Sequence, residues 1–209
     1  SVAGLTDLTY LYVGGSNTIS GSVAGLTKLT YLNVTGSNTL SGSVAGLTDL
    51  TYLYVGGSNT LSGSITGLTK LTYLYVGGSN TISGSVAGLT KLTYLRVTGS
   101  NTISGDIGGS GTSAMVNGIT LINIQGNNQL VDYTSGAIWS LTATSAINPA
   151  TGYGYSATEI DNILIDMAAS LGTVSGKTIT LQGSSAARTS ASDAAVTTLN
   201  GKGWTVVTN

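Results

Sequence analysis

One 21-residue phrase recurs five times, without insertion or deletion, between Gly4 and Gly105. Aligned on one leucine, the series is Leu8, Leu29, Leu50, Leu71 and Leu92. The common pattern is L-x-x-L-x-x-L-x-V-x-x-S-N-x-[IL]-x-G-x-[VI]. In the first unit it falls on Leu5, Leu8, Leu11, Val13, Ser16, Asn17, Ile19, Gly21 and Val23. A unit this short cannot close a core of its own. A fixed period therefore points to stacked units, each laying its apolar side on the next.

Two stretches within the unit alternate. In Tyr10-Leu-Tyr-Val-Gly14, Leu11 and Val13 point one way while Tyr10, Tyr12 and Gly14 point the other. In the stretch from Thr18 to Val23, Ile19, Gly21 and Val23 point inward and Thr18, Ser20 and Ser22 outward. Two short strands with glycine turns between them describe one coil of a solenoid. Stacking sets equivalent strands about 4.7–4.9 Å apart in parallel sheets, so like letters form rows. The row Asn17, Asn38, Asn59, Asn80 and Asn101 is expected to be buried, bonding backbone from coil to coil, because a buried amide needs partners.

This pattern resembles the leucine-rich repeat family. L-x-x-L-x-V-x-x-S-N-x-[IL] matches that family's strand-and-asparagine segment, with one extra residue before the last apolar position. The following [IL]-S-G-S-[VI] is similar to the second-strand segment of plant-type repeats, without its proline. The match covers residues 1–105 and extends loosely over 115–130, where Ile119, Ile122, Ile124, Asn127, Asn128 and Leu130 fall on the same template. The resemblance implies ligand binding through a concave parallel sheet. A 21-residue period leaves little room for a convex helix, so the coils are expected to be β-rich.

After Gly105 the spacing to the next coil lengthens to 27, from Leu92 to Ile119. A further degenerate coil is expected around Ile138 and Leu141, and the stretch from Ile147 to Ser156, with Pro149, Gly152 and Gly154, reads as a loop. Ser156 and Glu159 form a capping box that opens a helix with Ile160, Ile163, Leu164, Met167 and Leu171 on one face, ended by Gly172. A strand at 177–182, a second helix at 190–200 and a strand at 204–208 complete the chain. The expected fold is an α/β repeat solenoid: five leucine-rich-repeat-like coils at 1–105, a degenerate sixth at 106–131, and an α/β cap at 132–209. No cap precedes the first coil, which predicts a longer parent chain or a homo-oligomeric contact there.

Composition narrows function. The 209 residues are only 7% charged with a net charge of −1, so no basic patch awaits nucleic acid. No apolar run approaches the roughly 20 residues that cross a bilayer. The chain has no Cys and no His, which removes thiol nucleophiles, disulfides, zinc sites and the usual near-neutral base. Asp106, Asp132, Glu159, Asp161 and Asp166 lack calcium-loop spacing, and Glu159 and Asp161 suit a first helical turn. The expectation is a protein without catalytic residues, metal or cofactor.

Three positions change between copies: Asp7, Lys28, Asp49, Lys70, Lys91; then Tyr12, Asn33, Tyr54, Tyr75, Arg96; then Gly14, Thr35, Gly56, Gly77, Thr98. The first row predicts a ladder of alternating charge. The other two vary together: Tyr goes with Gly, and Asn or Arg with Thr. A ring lying over a strand glycine would shelter its backbone. With the unvarying row Tyr10, Tyr31, Tyr52, Tyr73 and Tyr94, one face gathers eight tyrosines with Asn33 and Arg96 among them. These ten residues form a candidate surface for a protein or glycan ligand, since Tyr and Arg are favoured at binding hot spots. The expected setting is extracellular, on a cell surface or a virion. The rival is a structural spacer or self-assembling fibre subunit with tyrosines as packing. The Thr and Ser rows raise an ice-binding solenoid as a further alternative. Asn33-Val34-Thr35 matches a glycosylation sequon but lies within a strand.

Overall fold

In the computed structural model, which describes all residues except 37, 100, 110–113, 127–128 and 150–153, each repeat forms one two-stranded coil. The first coil holds β1 (Tyr10–Val13) and β2 (Ser20–Ser22), and the second β3 (Tyr31–Val34) and β4 (Thr39–Ser43). The third holds β5 (Tyr52–Val55) and β6 (Thr60–Ser64), the fourth β7 (Tyr73–Val76) and β8 (Thr81–Ser85), the fifth β9 (Tyr94–Val97) and β10 (Thr102–Asp106). A looser sixth, led in by a 3-10 turn at Met115–Gly118, holds β11 (Leu121–Gly126) and β12 (Gln129–Asp132). The first strands form one parallel sheet, β1-β3-β5-β7-β9-β11, which β13 (Ser145–Pro149), β14 (Lys177–Leu181) and β15 (Trp204–Thr208) continue. The second strands form a six-stranded parallel sheet. The molecule is thus a parallel β-solenoid of about six turns, with helices among the described residues only in the last quarter and the short turn of coil six.

The space between the sheets is filled by rows of identical apolar side chains. In the third coil Leu47, Leu50, Leu53, Val55, Leu61 and Ile65 are all fully buried. Each such burial is worth about 1.5–3 kcal/mol before the entropy of ordering the chain is set against it. In the first coil Leu5 and Ile19 are exposed, while their counterparts farther along are buried.

The two sheets differ in register. In the first, like letters face each other: Tyr10 opposite Tyr31, Leu32 opposite Leu53, Val55 opposite Val76. In the second, partners from β2 through β10 are 19 residues apart rather than 21, so Ser41 faces Thr60 and Ser62 faces Thr81. The expectation that like letters line up therefore fails on this side. The outward Thr and Ser positions mix along the ladder instead of forming matched rows.

The buried asparagines of the third to fifth coils bond across this stagger. Asn59 Nδ2 donates to the Gly56 carbonyl in its own turn at 2.8 Å, and its Oδ1 accepts from the Leu40 N–H of the preceding coil at 3.2 Å. Asn80 and Asn101 repeat this with Gly77 and Leu61, and with Thr98 and Ile82. Asn38 bonds only its own turn, through the Thr35 carbonyl, and its buried Oδ1 has no partner. Asn17 departs from expectation: it is exposed and reaches only the Gly14 carbonyl. A second clamp is an unvarying threonine row. The hydroxyls of Thr30, Thr51, Thr72, Thr93 and Thr120 each donate to the carbonyl of the equivalent Thr one coil back, at 2.9–3.0 Å.

Beyond the repeats, the core anchors at 139–149 differ from expectation. Trp139 and Leu141 are buried, whereas Ile138 is 52% exposed. Ile147, Asn148 and Pro149 end strand β13 instead of starting a loop. The Pro149 ring costs no ladder bond there, and its carbonyl accepts from Ser184 N–H. Of the glycines assigned to that loop, Gly152 lies outside the described residues. So do Asn127 and Asn128 of the repeat template.

Helix α1 (Ala157–Ser170) starts at the predicted capping box: Ser156 Oγ accepts from Glu159 N–H, and Glu159 Oε2 accepts from Ser156 N–H at 2.8 Å. Its predicted apolar face is buried. Lys202 Nζ donates to the Ala168 and Leu171 carbonyls at its far end, where a cation is favoured. The second helical stretch begins as a 3-10 turn at Ser190–Ser192, capped by Thr189, before α2 (Asp193–Gly201). Asp161 is no solvated first-turn acid. It is buried, accepting from Thr189 N–H at 3.0 Å and Ser192 Oγ at 2.6 Å, and so ties α1 to that turn. Burial pushes its carboxyl up, but the bonds from Ser192 and Thr189 outweigh this and hold it below the ordinary carboxylate range.

Three measurements test these clamps. Asn59→Ala leaves a buried N–H and a buried carbonyl without partners and should cost about 2–4 kcal/mol in urea unfolding. Asn17→Ala, at an exposed site, should cost under about 0.5 kcal/mol; equal costs would remove the clamp's role. Gly57 sits at φ +70°, and a Cβ there would overlap the Gly36 carbonyl oxygen, while Gly67 opens onto free space. Gly57→Ala should lower the thermal midpoint by roughly 5–10 °C, and Gly67→Ala should not lower it. Asp161, with its folded value depressed, contributes stability above its unfolded value and loses it as pH falls through the folded one. The wild-type advantage over Asp161→Asn, full at pH 6, should therefore shrink below about pH 4.

Candidate binding face

The outward positions of the first sheet carry the residues singled out above. The in-register ladder sets Tyr10, Tyr31, Tyr52, Tyr73 and Tyr94 in one row. Two residues along the strands, Tyr12, Asn33, Tyr54, Tyr75 and Arg96 make a second. All ten lie on one face, because strand alternation sends Leu11, Val13 and their equivalents into the core instead. The Arg96 row runs on to Asn123 on β11. Sequence reading missed Asn123, yet the 27-residue spacing from Leu92 to Ile119 carries Arg96 onto it.

The rings are stacked face to face. Centroids in the first row lie 4.3, 4.3, 4.3 and 4.2 Å apart, with neighbouring planes within 7–12° of parallel. Tyr54 and Tyr75 stack at 4.2 Å in the second row, and the Arg96 guanidinium carbon lies 5.4 Å from the Tyr75 centroid. Such aromatic pairs contribute about 0.5–1.5 kcal/mol beyond their area, and an exposed cation–π contact about 0.5–1 kcal/mol. Each ring face is thereby covered by the next ring, so inside the ladder the tyrosines show solvent their edges and hydroxyls. Only at the outer end are rings open, with Tyr10 57% and Tyr12 60% exposed. A broad platform of ring faces, the arrangement that suits stacked sugars, is not what these residues build.

The rings also lean along their strands, as the paired variation of Tyr and Gly predicts. A Cβ on Gly14 would lie 3.1 Å from Tyr12 Oη, and one on Gly77 3.1 Å from Tyr75 Oη. A Cβ on Gly56 would touch the rings of both Tyr75 and Tyr54. Thr occurs at this position only where Asn33 or Arg96 replaces the ring.

Electrostatics follow from the stacking. Burial among neighbouring rings pushes the phenols of Tyr52, Tyr54 and Tyr73 above their ordinary value, so they stay neutral hydroxyls at physiological pH. Asn33 Nδ2 donates to Tyr31 Oη at 3.4 Å. Asn33 Oδ1, Asn123 Oδ1 and Arg96 Nε are buried without a hydrogen-bond partner. Arg96 is the face's single formal charge, and no Asp or Glu occupies an outward position of β1, β3, β5, β7, β9 or β11. The face can donate and accept hydrogen bonds and attract an anion. It holds no nucleophile–base pair.

The predicted charge ladder at the sheet's margin is broken into two pairs. Lys28 meets Asp7 and Lys70 meets Asp49, each at 2.6 Å. Both pairs are exposed and worth about 0–1 kcal/mol. No bond joins Lys28 to Asp49 among the described residues, and Lys91 makes no ion pair there either. Cavities lined by Gly4–Leu8, by Arg188–Asn209 residues, and by Ile165 with the alanines of α1 and α2 all lie off this face.

Comparison of the chain with protein-family models and with curated proteins returns no match to either.

Proposed function

We propose that this solenoid is a non-catalytic ligand-binding module whose tyrosine-bearing sheet receives a protein or glycan. The observation that carries the reading is the gathering of ten polar-tipped residues on one smooth, in-register face. Their ring bodies are immobilised by stacking while their hydroxyls stay outward, so little side-chain entropy remains to be lost on binding. We further read the coils as a β-rich variant of the leucine-rich repeat, on the strength of the L-x-x-L-x-V pattern and its bridging asparagine. On that reading the module serves adhesion, displayed on a cell surface or a virion.

One observation favours the rival reading, a structural spacer or fibre subunit. Rings stacked at 4.2–4.3 Å satisfy one another and shelter glycine backbone without any ligand. The mixed Thr and Ser ladder of the second sheet gives no matched rows to support ice binding.

The double substitution Tyr54→Phe with Tyr75→Phe separates the two, because it keeps the stack and removes only the hydroxyls. Wild type and variant should show equal urea midpoints. On an array of neutral and acidic oligosaccharides, together with immobilised candidate proteins, the variant should lose about tenfold or more of whatever signal the wild type gives. Identical binding by both would assign the tyrosines to packing alone.

A further inference from the structure

Charge is distributed unevenly along the solenoid. The acids and bases at the margin of the first four coils cancel as Asp7–Lys28 and Asp49–Lys70. On its first-sheet side the fifth coil carries Lys91 and Arg96, and neither takes part in an ion pair among the described residues, while the coil's acid, Asp106, sits on β10 in the second sheet. Lys91 is exposed, and no more than about 17 Å of chain separates it from Arg96. The fifth coil therefore presents two cations without a carboxylate partner among the described residues, Arg96 on the tyrosine face and Lys91 at its margin.

Arg96 is also held ready. Its guanidinium lies against the Tyr75 ring, so its orientation is set without any carboxylate. Its Nε is buried, and its terminal nitrogens, which make no hydrogen bond among the described residues, are donors that grip an acid bidentately. Asn123 stands directly beside it on β11. The rest of the face has matching polarity. Stacked rings present edges, which are the positive part of the aromatic quadrupole, and neutral phenols add donors.

Building on the receptor-face reading, we propose that the fifth coil is an acid-recognition subsite for a uronic-acid-type polysaccharide. Arg96, backed by Tyr75 and flanked by Asn123, takes one sugar carboxylate, and Lys91 adds the second cation. A polysaccharide suits this face better than an acidic peptide. The face offers hydroxyls and amides that exchange hydrogen bonds with sugar hydroxyls. The cavities that could seat the buried side-chain anchors of a protein partner lie elsewhere.

Calorimetric titration of the intact chain with polygalacturonate, its methyl ester and poly-L-glutamate tests this, using wild type, Arg96→Gln and Lys91→Gln. Wild type should bind polygalacturonate and prefer it to both other polymers. Arg96→Gln should weaken that binding about tenfold or more, and Lys91→Gln a few-fold with a shallower salt dependence. Lys91→Gln should keep the wild-type thermal midpoint within about 1 °C, and Arg96→Gln, which gives up only the contact with the Tyr75 ring, should lower it by no more than about 4 °C. Equal affinity for the methyl ester, or no loss in Arg96→Gln, would overturn acid recognition while leaving a receptor face in place. Preference for poly-L-glutamate would overturn the sugar assignment. If wild type ignores polygalacturonate, this subsite is refuted. The tyrosine face then stands or falls separately on the array comparison of the two-fold phenylalanine variant.

Discussion

From the third coil to the fifth, one buried amide per coil, bonded in two directions, ties each coil to the one before it. The apolar rows supply most of the gross stabilisation, but burial is non-directional and would tolerate a coil slipped along its neighbour. The asparagine does not tolerate it. Asn59 has one donor committed to its own turn and one acceptor committed to the coil before, so both backbone groups are satisfied only at one stagger. Where the clamp lacks its second half, at Asn38, the preceding coil is also the one whose Ile19 stands partly open. The amide and the threonine hydroxyl row act on opposite sides of the coil. In the third to fifth coils the amide bonds across the sheared register of one sheet and the threonine hydroxyl across the unsheared register of the other.

The unsheared register creates the tyrosine face. Rings two residues apart in sequence could point anywhere on a flexible loop. On strands paired like to like, each meets its own copy at close to strand spacing and has little choice but to stack. The same constraint explains the glycines beneath. A ring lying along the strand needs a neighbour with no Cβ, and each departure from Tyr in the second row is matched by a Thr in the third. Stacking also decides what the surface offers. It hides ring faces and leaves edges, hydroxyls and one guanidinium, which gives the face a donor-rich character despite its aromatic composition.

Much of this was legible in the chain because repetition converts sequence into geometry. The two strands per coil, the inward leucines, the shared tyrosine face, the Tyr–Gly coupling and the capping box at Ser156 all follow from period, alternation or local spacing. What escaped depends on distances that letters do not carry. The two-residue shear of the second sheet is present both where the asparagine bonds across coils, as at Asn59, and where it does not, as at Asn38, and the rows alone read the same with or without it. Whether Tyr shows a face or an edge depends on ring tilt. Asp161 reads as a helix-start acid until Thr189 and Ser192 fold against it from 28 and 31 residues away. Pro149 reads as a loop residue, and only the pairing of its strand places it at a sheet end where a missing N–H is harmless.

The marginal ion pairs give the array a hidden grain. Because Asp and Lys alternate, the charge pattern of the first four coils repeats every 42 residues. Excising the second coil would bring Asp7 beside Asp49, and excising the third Lys28 beside Lys70, turning attraction into repulsion. Gain or loss of coils in twos keeps every neighbour compatible and changes the length of the rod in steps of about 10 Å. Such a rod behaves as a ruler graduated in pairs, whose reach can be altered without redrawing either end.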